Sequence, residues 1–544
     1  MNPQSKFLQR NSNAAAPAGC RIVMALLLTG SVAAAQAEWK FVDITAEIGA
    51  SFQHHLAFNG IDTRDFMTGG LAAADVNGNG LIDLYIPQGN VLDGRLLINQ
   101  GDGTFADESA DWGILVSRGP NEAAYATGAA FADLTGNGYP DLVLPGVRAF
   151  GLRLYLNDGS RFVEATQSWG LLLELQEQYS VSFADVNGSG RLDLAVAHWS
   201  EHTVARGAHL WLNDGDRLID VGHEWGVSQA FEPQDFTFTP NFSDLNGNGW
   251  PDLLMAADFE HSEYFHNDNG ERYIRATTSV ISDENGMGAA VGDINNNGHP
   301  DWFVTAIYHE IPDFPVGSTG NRLYVNDGGG NFSDLTEEAG VRDGEWGWGT
   351  CMADFNNNGH LDIFMVNGWS DLSPDFSPEP ARMFVNRGDG TFDEKAVELG
   401  VGDTGEGRGI VCTDYDRDGD IDIFIQNNQG IGRVYRNNAA SHGNWLGIRL
   451  RGAGNNTAAV GAVVKVAADN LVQTRQMVIP NHYLSTSPPE LHFGLGEHES
   501  IHSVQVTWPD GTQSEYGGLD INQWIELVQP HDHDVFSDRF EVEP

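Results

Sequence analysis

The chain has 544 residues, with 76 Asp and Glu against 29 Lys and Arg, and a formal net charge of −47 at pH 7. An acid surplus of this size excludes nucleic acid and anionic membrane as partners, because binding to them depends on basic patches. Three Cys in a chain of this length exclude a fold built on a disulfide framework.

Residues 1–37 are predicted to be a secretory signal. An apolar run from Ile22 to Ala35 follows a basic region and ends at the small-residue cleavage site Ala35-Gln-Ala37. A transmembrane anchor would need about 20 apolar residues, and this run is interrupted by Thr29, Gly30 and Ser31. We therefore expect a mature protein that begins at Glu38, is secreted or periplasmic, and has no membrane span.

A nine-residue Asp-rich loop recurs seven times between residues 75 and 422. Each copy has an oxygen-bearing side chain at positions 1, 3 and 5, Gly at position 6 and Asp at position 9. Calcium takes six to eight oxygen ligands from carboxylates, amides and backbone carbonyls. The Gly allows the chain to turn back, so that the carbonyl of position 7 can complete the ligand set. The seven loops, numbered here in chain order, therefore predict up to seven bound Ca²⁺ ions.

The predicted ligands share these five positions in every loop. In loop order they are Asp75, Asn77, Asn79, Leu81 and Asp83; Asp133, Thr135, Asn137, Tyr139 and Asp141; Asp185, Asn187, Ser189, Arg191 and Asp193; Asp244, Asn246, Asn248, Trp250 and Asp252; Asp293, Asn295, Asn297, His299 and Asp301; Asp354, Asn356, Asn358, His360 and Asp362; and Asp414, Asp416, Asp418, Asp420 and Asp422.

Two other interpretations of the loops are possible. An EF-hand needs a Glu at position 12 and a helix on each side, whereas this chain has apolar residues at position 12, in strand-like runs such as Asp83–Ile86. A metal-free Asn-Gly or Asp-Gly hairpin turn would explain any single copy. A turn does not need Asp at both position 1 and position 9, so it does not explain all seven.

Further signatures recur between the loops and predict about four short strands in each period. One is a strand that ends in an Asn-Gly type turn, as in Tyr155–Gly159, and another is a strand led by Phe, as at Phe162. A unit of this size cannot bury both faces of its sheet alone. We therefore predict an all-β, seven-bladed β-propeller over residues 38–440, closed by an N-terminal strand near Phe41. A linear solenoid is the alternative.

Cys351 and Cys412 are the two Cys that remain after signal cleavage. They lie three and two residues before the first Asp of their loops. This offset predicts that they point to opposite faces of their strands. We therefore expect two buried free thiols.

The C-terminal region, residues 441–530, contains short alternating segments separated by Gly, Pro and Asp-Gly turns. The segments are 445–450, 463–466, 504–508 and 524–528. They predict a small β-sandwich or barrel. Residues 531–544 form an acidic tail that we expect to be mobile.

The Asp-rich repeats resemble FG-GAP/VCBS repeats, the blades of integrin α-subunit propellers, in which calcium occupies similar loops. The C-terminal region resembles the ASPIC/UnbV domain at Gly461–Val466, Tyr483–Pro489, Leu491–Gly496 and Val504–Gly511. The order of the two regions is similar to the cartilage acidic protein 1 family and its bacterial relatives. Thr135 and Ser189 are the mild departures in the loops. The resemblance implies the fold and calcium, and no settled biochemical activity.

Two short motifs carry weaker signals. His498-Glu-Ser-Ile-His502 matches the HExxH pattern of zinc proteases, which requires a helix, but it continues directly into a predicted strand. Arg387-Gly-Asp389 matches an integrin-ligand tripeptide, yet it occupies the hairpin turn that Gln100-Gly-Asp102 occupies in the first unit. We interpret both as structural.

We therefore expect a binding or adhesion module for a protein or glycan partner, with calcium in a structural role and no catalytic residues. The alternative is an extracellular enzyme, a hydrolase or lyase of polymers. Either site would use the longer connections between strands, 117–125, 198–209, 308–321 and 368–381, because such loops interrupt the repeat without serving it.

Overall fold

The computed structural model describes residues 39–49, 51–57, 63–116, 124–171, 177–200, 209–228, 235–310, 317–369, 376, 378–439 and 443–530. The proposed signal, the acidic tail and much of the longer connections lie outside these residues. Regular structure in the described part is almost entirely β, with three one-turn helices: α1 Thr63–Phe66, α2 Thr336–Ala339 and α3 Ala396–Leu399. The predicted all-β class is confirmed. No helix in these ranges is long and apolar enough to cross a bilayer.

Four-stranded antiparallel units, each with an Asp loop between its first and second strands, make up the first region. In chain order they are β2 Ala72–Ala74, β3 Asp83–Ile86, β4 Arg95–Asn99, β5 Phe105–Asp107; β7 Ala130–Ala132, β8 Asp141–Leu144, β10 Arg153–Asn157, β11 Phe162–Glu164; β12 Gln178–Ala184, β13 Asp193–Ser200, β14 Leu210–Asn213, β15 Leu218–Asp220; β16 Asp235–Ser243, β17 Asp252–Ala257, β18 Glu263–Asn267, β19 Tyr273–Arg275; β20 Ala289–Gly292, β21 Asp301–Val304, β22 Arg322–Asn326, β23 Phe332–Asp334; β24 Gly347–Ala353, β25 Asp362–Asn367, β26 Arg382–Asn386, β27 Phe392–Glu394; and β28 Gly407–Thr413, β29 Asp422–Asn427, β30 Arg433–Asn437 with β1 Phe41–Asp43.

Two local features modify this arrangement. A short pairing of β13 with β16, Trp199 opposite Phe236, joins the third and fourth units into one sheet. A two-stranded sheet, β6 Tyr125–Ala126 with β9 Gly146–Val147, lies beside the second unit.

The ring is closed by strands from both ends of the first region. β1 pairs antiparallel with β30, with Phe41 opposite Asn437, so the last unit takes its outer strand from the N-terminal segment. Sequence alone predicted this closure, because a copy of the Phe-led signature precedes the first loop and none follows the last. The last sheet therefore combines an N-terminal strand with three strands that lie almost 400 positions later in the chain.

An Asn at the end of the third strand links each unit to the one before it. Its side-chain amide donates to the carbonyl of position 2 in the preceding Asp loop, over 2.7–3.0 Å. The first of them, Asn99, reaches back to Tyr415 of loop 7. These bonds form a closed cycle, which a propeller allows and a linear solenoid does not.

The second region is a sandwich of two sheets. One has the order β34 Leu491–Gly496, β31 Asn444–Arg451, β37 Trp524–Val528, and the other has β33 Leu471–Gln476, β32 Val463–Ala468, β35 Ser503–Thr507, β36 Gln513–Tyr516. Their inner faces share one apolar core that includes Ile448, Val464, Phe493 and Trp508. This is the β-sandwich that the alternating segments predicted.

A segment of the second region, residues 480–487, inserts among the first strands of the units and is called the plug here. Its backbone and side chains bond to six of the units. Examples are Ala129 N to Leu484 O (3.1 Å), Ala73 N to Thr486 O (3.0 Å) and Thr350 N to His482 O (3.1 Å). A Cβ on Gly70 would lie 2.0 Å from the carbonyl oxygen of Leu484. The glycine-rich inner strands thus leave space for the plug.

Cys351 and Cys412 form a disulfide, with their Cα atoms 6.6 Å apart. The prediction of free thiols is wrong, and the reason is geometric. Cys351 lies on β24 and Cys412 on β28, in neighbouring units. In a ring of sheets, each sheet packs one face against the opposite face of the next sheet. The one-residue offset places Cys351 and Cys412 on opposite faces of their strands, so their sulfurs meet between the two sheets.

Candidate metal sites on the Asp-rich loops

The Asp at position 1 organises every loop. In all seven loops one carboxylate oxygen accepts the N–H of position 5 and the other accepts the N–H of position 6, over 2.6–3.1 Å. The chain therefore wraps around this carboxylate. In loop 1 the glycines Gly78 and Gly80 adopt φ of 74° and 86°, a conformation that favours glycine.

The Asp at position 9 is fully buried in every loop. One oxygen accepts the N–H of position 2, and the other accepts the N–H of the third-strand Asn, as in Asp83 with Val76 (3.1 Å) and Asn99 (2.8 Å). Burial raises the pKa of Asp83 to about 8 and the pKa of Asp141 to about 7. Nearby Asp75 and Asp133 act in the same direction. A divalent cation between positions 1 and 9 would compensate this buried charge.

Positions 3 and 5 turn their oxygens into the loop. In loop 1, Asn77 Oδ1 accepts the N–H of Asn79 (3.0 Å) and Asn79 Oδ1 accepts the N–H of Leu81 (2.9 Å). The same position 5 to position 7 bond occurs in loops 2, 4, 5, 6 and 7. The oxygens of positions 1, 3, 5 and 9 in loop 1 therefore all accept N–H groups of the loop's own backbone, and carboxylate and amide oxygens are the hard ligands that calcium prefers.

Loop 7 is the most acidic of the seven and fits a cation best. Ligand oxygens of Asp414, Asp416 and Asp422 lie within 4.8 Å of one another. Asp416 Oδ1 is buried and has no hydrogen-bond partner among the described residues. Burial raises the pKa of Asp414 and of Asp418 to about 7. A cluster of largely buried carboxylates with one unsatisfied oxygen calls for a compensating positive charge, and a divalent cation such as Ca²⁺ would supply it.

Loops 2 and 4 depart from this arrangement. In loop 2, Thr135 Oγ1 donates to Asp133 (3.3 Å), so the position 3 oxygen acts as a donor. In loop 4, the Asn246 amide nitrogen lies 3.1 Å from Asp252, and His266 Nδ1 lies 3.4 Å from the same carboxylate. Donors therefore already occupy part of both predicted ligand sets. Loop 3 keeps the position 1 and position 9 bonds, with Ser189 N on Asp185 (2.9 Å).

Two groups of residues that hold the loops were not predicted from the sequence. The third-strand Asn was treated as a turn residue, although its recurrence in every unit was a signal of a shared role. Residues of the second region were missed because nothing in the sequence indicates their position. Trp524 Nε1 donates to Asp414 (2.8 Å), and Thr457 Oγ1 donates to Asp133 (2.6 Å). The second region therefore packs on the side of the ring that carries the Asp loops.

The other sequence motifs are structural. His498 and His502 lie in a connector, not on a helix, and each ring contacts one oxygen of Asp469, at 3.0 and 2.9 Å. The helix that the zinc-protease pattern needs is absent from this described segment. Arg387 pairs with Asp393 in a hairpin turn between β26 and β27. Trp112, Trp169 and Trp225, which each precede a Gly at the same place in their units, are buried and pack within the units.

Family models match two parts of the chain. The FG-GAP-like repeat matches residues 75–144, 244–304 and 312–365, and the ASPIC and UnbV model matches residues 452–534. Cartilage acidic protein 1 of Homo sapiens is 28% identical over 351 residues, which cover 54% of this chain and 51% of that protein. The Mus musculus protein is 28% identical over 347 residues, which cover 53% and 52%. The chain thus spans about half the length of these relatives.

Solved propellers also align with the chain. The WD40 β-propeller domain of Doa1 is 12% identical and gives a TM-score of 0.41, over 74% of this chain and 98% of that one. A streptogramin B lyase is 12% identical and gives 0.40, over 73% and 96%.

Proposed function

Because the chain carries FG-GAP-like repeats and an ASPIC and UnbV domain and is homologous to cartilage acidic protein 1, we propose that it is an extracellular binding or adhesion protein whose propeller is stabilised by calcium. The residues that would hold the ions are the side chains at positions 1, 3, 5 and 9 of each loop, with the carbonyl of position 7. Calcium here supplies positive charge and a coordination geometry, and no chemical step.

The observation that carries the proposal is the buried carboxylate at position 9. A hairpin turn needs no ionisable group in its interior, because a buried unpaired charge is costly. Here every unit retains one, fully buried, facing a second carboxylate at position 1. Such a pair is stable when a cation lies between its members.

Export to the extracellular space or periplasm agrees with two independent features. The sequence begins with a predicted signal at residues 1–37, and the Cys351–Cys412 disulfide persists in oxidising compartments. Calcium is also abundant enough outside the cell to fill sites of moderate affinity.

We place partner binding on the side of the ring opposite the Asp loops. The second region packs on the loop side, through Trp524, Thr457 and the plug. The opposite side carries the described ends of the longer connections and an aromatic pair in which Phe259, 51% exposed, packs on Phe236 with ring centroids 4.7 Å apart. A protein or glycan surface is the kind of partner that an exposed aromatic in a rigid turn fits.

Equilibrium dialysis against calcium, followed by an elemental count of metal per chain, tests the calcium part of the proposal. We expect several Ca²⁺ per chain, at most seven, and no zinc. A chain that retains no calcium at millimolar concentration would overturn it. A screen of polysaccharides and peptides tests the enzyme alternative, and we expect no turnover with calcium or zinc present.

A further inference from the structure

Position 4 divides the seven loops into two groups. Loops 1–4 have Gly there, whereas loops 5–7 have Asn296, Asn357 and Arg417. All three adopt positive φ, at 57°, 59° and 65°. Gly is the residue that this conformation favours, and Arg has no local reason to adopt it. A side chain placed there against the backbone preference needs a compensating contact.

That contact is the next loop. Asn296 Nδ2 donates to Gly359 O of loop 6 (2.8 Å), and Asn357 Nδ2 donates to Gly419 O of loop 7 (3.3 Å). Arg417 donates to Gly80 O of loop 1 through Nε (3.1 Å) and a terminal nitrogen (2.9 Å), and its guanidinium also pairs with Glu490 of the second region (2.7 Å). In each case the acceptor is the carbonyl of position 6. The bridges therefore connect loops 5, 6, 7 and 1 in one direction around the ring.

The bridged peptide lies next to the predicted ligands. The peptide between positions 6 and 7 presents its carbonyl to the bridge, and its N–H donates to the side chain of position 5, as His360 N does to Asn358 Oδ1 (2.8 Å). Position 5 is a ligand, and position 7 offers its carbonyl as another. A bridge thus fixes two ligands of the next loop.

The donor end of each bridge is equally close to its own site. Position 4 lies between the ligands at positions 3 and 5, so an ion that orders those ligands also orders the bridging side chain. The third-strand Asn links every pair of neighbouring units in the same way and cannot distinguish the loops. The position 4 bridges are the additional links, present at three of the seven boundaries.

We propose that Asn296, Asn357 and Arg417 are positioning residues that couple calcium binding at loops 5, 6, 7 and 1, so that these sites fill more cooperatively than loops 2–4, which have only the link through the third-strand Asn. The inference rests on the proposed calcium sites. Coupling of this kind requires that occupancy of one site change the free energy of binding at the next, and a shared hydrogen bond between two sets of ligands meets that requirement.

The test is a calcium titration by equilibrium dialysis on the full chain and on Asn296→Gly. Glycine is the residue of loops 1–4 at this position, so the substitution removes the bridge without backbone strain. The matched control is Asn269→Gly, an Asn with φ of 55° in a hairpin turn outside the Asp loops. Asn357→Gly repeats the test at the next boundary.

We expect the native chain and the control to titrate with a steep phase and a Hill coefficient above 1. Asn296→Gly should lower that coefficient and raise the half-saturating calcium concentration of this phase roughly fivefold, the effect of one hydrogen bond. The number of ions at saturation should not change. Superimposable titrations of both variants and the native chain would overturn the coupling while leaving the calcium sites intact. An absence of bound calcium in the native chain would overturn both, and the ion count separates the two outcomes.

Discussion

Loops 2 and 7 share one sequence pattern and differ in the residues at its positions. In loop 7 all five pattern positions are Asp, and a buried oxygen of Asp416 has no partner within the described structure. In loop 2 only positions 1 and 9 are acidic, and Asp133 accepts hydroxyl protons from Thr135 and Thr457 besides the backbone bonds. The shared pattern therefore fixes the loop conformation, while the number of unsatisfied oxygens determines how strongly a loop needs a cation.

Calcium removal should have the largest effect. Each filled site adds about 1.4 to 2.7 kcal/mol at a free calcium of about 10 to 100 times Kd, so seven filled sites would together add roughly 10 to 19 kcal/mol. We expect chelation to lower Tm strongly in calorimetry, with loop 2 emptied first and loop 7 last. Terbium, a luminescent substitute for calcium, should be sensitised by Trp524 at loop 7 and by Trp250 at loop 4, so the part of the signal that Trp524→Phe removes should report loop 7. Loss of terbium from loop 7 before the other loops would contradict the expected order.

Asp422→Asn and Asp141→Asn separate the two loops directly. Both residues are buried at position 9 and accept the same pair of backbone N–H groups. We expect Asp422→Asn to abolish about 1.4 to 2.7 kcal/mol of calcium-dependent stabilisation, and Asp141→Asn to abolish less. Denaturant unfolding with and without calcium measures this. Equal losses in the two variants would mean that loops 2 and 7 bind calcium equally well.

The thermal stability of the calcium-free protein should change with pH in the opposite direction to that of the calcium-loaded protein. Burial holds the pKa of Asp141 at about 7 and that of Asp422 well above its usual value. The folded state therefore binds more protons than the unfolded chain from about pH 4 to 7, and stability falls as pH rises. Without calcium we expect Tm to be several degrees higher at pH 5 than at pH 8. With saturating calcium the order should reverse, because protons compete with the ion. An increase of Tm with pH in the calcium-free protein would contradict this.

Thr135→Asp should have the smallest effect of these variants, and it tests whether ligand charge causes the difference between loops 2 and 7. It gives loop 2 a third carboxylate at a position where loop 7 already has one. Because ligand charge strengthens calcium binding, we expect tighter binding at loop 2 by roughly tenfold or less, equal to at most about 1.4 kcal/mol. Ser189→Asp in loop 3 is the parallel variant. Unchanged affinity, by calcium titration, would mean that the Thr457 hydroxyl on Asp133 limits the site.

Local periodicity was sufficient to predict the repeating unit, the N-terminal closing strand and the sandwich of the second region. Each of these depends on residues close in sequence or on a signature that recurs. The third-strand Asn shows the limit within the repeat, because its bond to a neighbouring loop, as from Asn157 to Val76, exists only when units are placed side by side.

Contacts between distant segments could not be predicted. The partner of Cys351 depends on which faces two sheets present to each other. Trp524 lies 110 residues from Asp414, and no periodicity connects them. Two consecutive residues of the plug, Tyr483 and Leu484, adopt positive φ, which is unusual for such side chains. This conformation marks the plug in the structure, but it cannot be recognised in the sequence.

The plug can form its hydrogen bonds with the inner strands only late in folding. Its hydrogen bonds join residues 304, 355 and 414 positions apart, so they close only after most of the chain has been synthesised. Until then, Leu71, Ala73 and Ala129 have no partner at the centre of the ring. Contacts this distant slow the final step and leave earlier intermediates exposed. The second region, which is synthesised last, therefore completes the hydrogen bonding of the inner strands. A chain that ends before residue 480 would lack the segment to which these strands bond.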